Sequence, residues 1–181
     1  MIRNYIFDPW HIFFMQLPIC EVCLKSEILC NGCKEKLNKN IMTEEEVEVV
    51  KYIYGLSEKM KSIRDVKVLK VSSNNSLVIV TGRGDAPKLV GRSGSIVKKI
   101  AKKFKKPIRI LEEASNLRDF VEELIYPTPV NGINTLYRDN EEIIRIRISD
   151  IKRNHMLIKP ESFSRIVSSF YNKKAELVFE S

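Results

Sequence analysis

The sequence predicts an α+β fold: a small four-cysteine module followed by two related α/β units. Three observations carry this. All four cysteines fall within CEVCLKSEILCNGC. After residue 43 the apolar pattern alternates between the helical and the strand period. A shift of 67 residues then brings Val90-Gly91-Arg92-Ser93-Gly94 onto Leu157-Ile158-Lys159-Pro160-Glu161, as a diverged tandem repeat would.

Cys20-x-x-Cys23 and Cys30-x-x-Cys33 can bend round one ion as two short knuckles, with Gly32 relieving the second. Four thiolates suit structural Zn²⁺, held by Cys20, Cys23, Cys30 and Cys33. An iron-sulfur cluster, paired disulfides and core cysteines are the alternatives, the disulfides being disfavoured without a secretory signal. Four sulfur ligands leave no open coordination position, so the metal's task is to fold a segment too short to bury its own core. Lys25, Lys34, Lys36 and Lys39 give the module a polar face open to RNA or a protein partner. His11, nine residues before Cys20, reads as a non-ligand.

From residue 43 the elements follow in order. Thr43 and Glu46 form a capping signature, and Val49, Val50, Ile53, Leu56 and Met60 give the helix behind it an apolar stripe. Strands near Val66 to Val71 and Leu77 to Thr81 are joined by a turn at Ser72-Ser73-Asn74-Asn75. Asp85 starts a short helix that stops at Gly91. A second helix runs from Ser95 to Lys105, and Pro107 precedes a strand at Ile108 to Leu111. A linking helix from Leu117 to Tyr126 leads to the second unit. Strands near Ile133 to Tyr137 and Ile143 to Ile148 flank the turn Arg138-Asp139-Asn140-Glu141. A short helical segment at 150–157, a helix from Ser162 to Tyr171 and a strand from Ala175 to Phe179 complete it.

Charge and composition bound the function. The 181 residues are 44% apolar, enough for real cores, and carry a formal charge of +8, which favours a polyanionic partner. Between Arg83 and Arg109 stand ten Lys or Arg residues against one acid, Asp85, so the positive charge gathers where the glycines are. No stretch approaches the ~18 apolar residues of a membrane span. Asp8, Pro9 and His11 interrupt any signal-peptide core, so a cytoplasmic protein without a membrane partner is expected. His11 and His155 are the only histidines, neither beside a persuasive nucleophile, and the Walker pattern is absent; no catalysis is expected. One glutamine among many Lys, Glu and Ile residues fits a hot habitat or an A- and T-rich genome equally.

The order helix, strand, strand, helix, GxxG, helix, strand, with LVGRSGSIVKKIAKKFKKPIRI behind the strand VIVTG, resembles the type II KH domain. The tandem arrangement behind a CxxC…CxxC module resembles the archaeal NusA-like proteins, over roughly Leu17 to Glu180. The resemblance implies an N-terminal extension at 1–16, a zinc module at 17–40, a type II KH domain at 41–113, and a linker helix with a KH-like domain degenerate in its GxxG loop at 114–181. Related chains usually begin just before the first CxxC, so residues 1–14 are an extension or an upstream start-codon choice; Trp10, Phe13 and Phe14 would need burial or a partner.

In such families the loop presses on the backbone of a single strand of RNA while a groove holds about four nucleotides. Here Gly91 and Gly94 would let main chain approach phosphate, and the amides at Gly94 and Ser95 would offer an anion site. Arg92 is the charged contact and Ser93 a minor donor, with Lys88, Lys98, Lys99 and Lys102 steering phosphate. Lys98 and Lys102 share one flank, Lys99 and Lys103 the next. Ile96, Ile100, Val78 and Val80 are either groove floor or core, and Ile100 reads as core. The plain alternative for GRSG is a tight turn between helices. The second unit lacks both glycines, Glu161 would oppose a phosphate, and Pro160 removes a donor; Arg145, Arg147 and Lys152 could form a platform of another geometry.

The resemblance implies a single-stranded RNA-binding protein of transcription elongation or termination, with RNA polymerase as host. A ribosome-associated or ribosome-assembly RNA binder, and a protein-interaction adaptor with little RNA affinity, are the competing readings.

Overall fold

The computed structural model describes residues 15–138, 141–149, 156 and 158–180; the side chain of Glu161, the segment expected to be helical at 150–157 apart from Met156, and what was expected of residues 1–14, His155 and Lys152 lie outside the described residues. Two short helices, α1 (Glu21–Lys25) and α2 (Asn31–Asn38), carry the cysteines. They lead to α3 (Glu44–Lys59), whose start has both halves of the expected capping box: Thr43 Oγ1 accepts from the Glu46 amide and Glu46 accepts from the Thr43 amide. Glu46 also accepts from the Ser73 amide at 2.9 Å, tying the helix to the edge of the neighbouring sheet.

The first sheet has the order β1-β2-β3. β1 (Val68–Ser73) runs antiparallel to β2 (Leu77–Thr81), and β2 parallel to β3 (Ile108–Glu112). The crossover between β2 and β3 contains α4 (Ala86–Val90), a 3-10 turn (Arg92–Gly94) and α5 (Ser95–Phe104). β1 starts and ends two residues later than the sequence suggested. Lys67 bridges to Gln16 ahead of it, and Glu46 holds Ser73 inside the strand, so the turn falls on Asn74 to Ser76.

After α6 (Leu117–Ile125), capped by Asn116, the topology repeats. β4 (Val130–Arg138) is antiparallel to β5 (Glu141–Ser149), which is parallel to β6 (Lys174–Glu180), with α7 (Pro160–Tyr171) in the connection.

Strand alternation sorts the cores. Val71, Leu77 and Ile79 face α3, Leu89, Ile96 and Ile100, in a cluster that also takes in Ile19, Cys23, Cys33 and Met42 of the cysteine module. Val78, Val80 and Leu111 point the other way and join Phe120, Val121 and Leu124 of α6, Phe163, Ile166 and Val167 of α7, and Ile144, Ile146 and Ile148 of β5. The second unit thus covers the back of the first sheet. Phe120 packs on Phe170 and Tyr171, Lys70 lies 4.8 Å over the Phe170 ring, and Arg165 donates to Asn74. Among the described residues, no helix is long and apolar enough to cross a membrane.

Candidate functional site

The four cysteine sulfurs gather at the start of the chain. Cys20 and Cys30 occupy the N-cap positions of α1 and α2, and Cys23 and Cys33 follow three residues later inside each helix. Cys20 Sγ lies 3.3 Å from Cys23 Sγ, 3.7 Å from Cys30 Sγ and 3.8 Å from Cys33 Sγ, and all four sulfurs lie within 4.8 Å of one another. Tetrahedral zinc with bonds of ~2.3 Å needs sulfurs about 3.8 Å apart, so the donor set fits. The four cysteines form a structural Zn²⁺-binding site.

The Cys30 amide donates to Cys23 Sγ at 3.1 Å, and this favours a thiolate there. Against that bond, burial and the neighbouring thiols push Cys23 up to about 12. The Cys33 amide and the other thiols hold Cys30 at about 7. Four thiolates crowded this closely repel one another. A dication supplies the compensating charge. The basic face expected on this module is mostly engaged: Lys25 pairs with Glu21, Lys39 with Glu35, and Lys36 donates to the Pro18 carbonyl.

The second site is the junction between α4 and α5. Gly91 ends α4 at φ 75°, ψ 167°, a region essentially reserved for glycine. A Cβ there would stand 2.8 Å from Ile96 Cγ1 and 2.9 Å from Ser95 Oγ. Gly94 is left-handed at φ 73°, ψ 22°, but its side is open, with nothing nearer than 3.5 Å to a Cβ. Ser93 between them is left-handed as well.

The Gly94 and Ser95 amides, expected to receive an anion, are donated inside the turn to the Gly91 and Arg92 carbonyls. Outward, the loop presents the exposed side chains of Arg92, Ser93 and Ser95 at the positive end of the ten-residue α5. Lys98 stands beside it, Nζ 3.1 Å from the Ser93 carbonyl, and Lys102 follows one turn later on the same flank. Lys99 is on the other flank, 4.0 Å from Met60 Sδ. Lys88 is held elsewhere: its ammonium pairs with Asp65 at 2.7 Å and Asp85 at 2.9 Å, and these carboxylates raise its pKa. Nothing in the local sequence announces Asp65 as its partner, twenty-three residues upstream.

The charge around this loop is positive. Arg92, Lys98, Lys99, Lys102, Lys103 and Lys105 are all exposed, and none has a carboxylate partner among the described residues. Lys106, by contrast, pairs with Glu45 and holds its carboxyl below the usual range. Val78, Val80, Ile96 and Ile100 are at most 2% exposed and serve the two cores, not an open groove floor.

The corresponding place in the second unit is built differently. Ile158 is buried, Lys159 precedes Pro160, and Pro160 opens α7 directly. Arg145 and Arg147 are matched across strands by Glu176 and Glu180.

No protein-family model matches the chain, and no curated protein does. Among solved structures, the protein described as "Crystal structure of APE1850" aligns with 77% of this chain and 100% of its own, at a TM-score of 0.57 and 18% identity. The likeness is one of fold: an α+β architecture with two small mixed sheets.

Proposed function

We propose that the chain is a tandem type II KH-like protein that binds single-stranded RNA at Gly91–Gly94 and performs no reaction of its own. The observation that carries the reading is the pairing of an open, left-handed Gly94 with six exposed, uncompensated cations on the loop and α5. Uncompensated cations on a helix that opens from such a loop suit a sugar-phosphate backbone, with Arg92 and Lys98 as the charged contacts and Ser93 and Ser95 as hydroxyl donors. Lys102 adds to the field on the same flank and Lys99 on the neighbouring one; Lys88, neutralised by two carboxylates, shapes the base of α4 instead. The cysteine module ahead of the repeated unit supports the narrower assignment, a NusA-like factor that holds nascent transcript beside RNA polymerase in the cytoplasm. In that reading the second unit braces the first and lacks a phosphate loop.

The test is binding of the zinc-loaded chain to randomised single-stranded RNA at one salt concentration, against Gly94→Asp. Aspartate is among the few residues that tolerate the left-handed region, so the substitution adds a carboxylate with little strain. Gly91 stays unchanged, because its packing would confound the result. Expected is a loss of tenfold or more with the circular dichroism preserved. Binding equal to the parent chain would refute the assignment.

A further inference from the structure

The cations assigned to the loop and α5 end at Lys105, and a further pair, Lys59 and Lys61, lies beside them. Lys99 and Lys103 lie one turn apart on the flank of α5 that meets α3, where Tyr52 and Phe104 touch edge to face at 5.7 Å. Lys99 stands against Met60, and Met60 is flanked in the chain by Lys59 and Lys61. All four lysines are exposed, and none has a carboxylate partner among the described residues. The acid nearest in sequence, Glu58, interacts with the Tyr54 hydroxyl. Elsewhere the exposed faces mix signs, as in Glu21–Lys25, Glu35–Lys39 and Arg118–Glu122. Four like charges gathered on α5, on the end of α3 and on the turn behind it repel one another, and a polyanion laid across them relieves that repulsion.

We infer that an RNA strand gripped at Gly91–Gly94 continues across the outward face of α5 to the Lys59–Lys61 corner. The site then takes a single strand longer than the roughly four nucleotides of one groove. The inference rests on the proposed reading of the loop. It requires no base recognition along the added track: lysines there are point charges that follow phosphates.

The experiment compares oligomers of about four and about twelve nucleotides, bound to the zinc-loaded chain over a salt series. The variants are Gly94→Asp and the double Lys59→Gln, Lys61→Gln, which leaves every cation assigned to the loop and α5 in place. The double variant is expected to weaken the long oligomer tenfold or more at low salt and to lower its log–log salt slope by about 1.4, from ~0.7 per phosphate contact. The short oligomer should change by less than about threefold. Equal losses at both lengths would mean a diffuse field without a track, and an unchanged long oligomer would remove the track outright. If Gly94→Asp weakens both oligomers while the double variant weakens neither, the loop stands and the extension falls. If Gly94→Asp leaves both bound, the loop reading fails first.

Discussion

Replacing Gly91 by alanine separates what the two loop glycines do. At φ 75°, ψ 167° an L residue is strained by about 1–3 kcal/mol. The new Cβ would also press on Ile96 at 2.8 and 3.0 Å, and Ile96 is 1% exposed, packed with Ile100 and Leu89. It cannot step aside, so overpacking adds about 1–3 kcal/mol. The sum of about 2 to 6 kcal/mol is a large part of the ~5–15 kcal/mol of a whole domain. Gly94→Ala meets ordinary contact at 3.5 Å and carries only the left-handed penalty of about 1–2 kcal/mol. Urea unfolding of the zinc-loaded chain, followed by far-ultraviolet circular dichroism, should place the Gly91→Ala midpoint clearly below that of Gly94→Ala at equal m. Coincident midpoints would refute the argument that position 91 is a packing glycine and position 94 an access glycine.

Three further outcomes are expected. Because Cys23, Cys33, Ile19 and Met42 share a core with Val47, Val50 and Ile53 of α3, chelating zinc should lower the melting temperature of the first α/β unit as well as of the cysteine module. Added Zn²⁺ should reverse this and Mg²⁺ should not; a melt indifferent to the chelator contradicts it. Phe120→Ala should cost about 3–5 kcal/mol and leave one cooperative calorimetric transition, since Phe120 joins a cluster shared by both sheets; two resolved transitions would show that the units unfold apart. Lys106 hydrogen-bonds Glu45 and holds its carboxyl below the ordinary value, so the stabilisation is full above the ordinary glutamate range and fades as pH falls through the lower folded value. For this partly exposed pair it is about 0.2–1 kcal/mol, so the stability gap between the parent chain and Lys106→Gln should close with acidification; a constant gap would assign Lys106 another role.

What the sequence conceals follows from distance along the chain. The capping box at Thr43 and Glu46 and the end of α4 at Gly91 are local, made within three or four residues, and each is legible in the letters. The limits of β1 are not, because a carboxylate twenty-seven residues upstream satisfies the Ser73 amide. The fate of Lys88 is hidden in the same way, and so is that of Arg145 and Arg147, matched by acids more than thirty residues downstream. One long-range feature did leave a trace. Leu77-Val78-Ile79-Val80 is an unbroken apolar run, the pattern of a strand covered on both faces. Ile144, Ile146 and Ile148 alternate with Arg145 and Arg147, the pattern of a strand covered on one.

That contrast explains how a repeated unit can keep its topology without keeping its loop. The back of the first sheet exposes Val78, Val80 and Leu111 unless α6, α7 and the isoleucines of β5 lie against it. Meeting that demand uses β4, β5, α7 and β6 in their present order, and of the turn ahead of α7 it asks the buried side chain of Ile158 where the first unit has a glycine. The outer face of the second sheet then has to end the stack in water. It does so with ion pairs bridging β5 and β6, and with the Arg147 guanidinium lying so close over Gly132 that a Cβ there would collide with it. Arg145 and Arg147 are thereby paired with carboxylates, whereas the lysines of α5 have no carboxylate partner among the described residues. Packing and ion pairing explain the residues of the second unit at these positions. They leave the α5 cations unexplained, and that remainder is what the RNA reading accounts for.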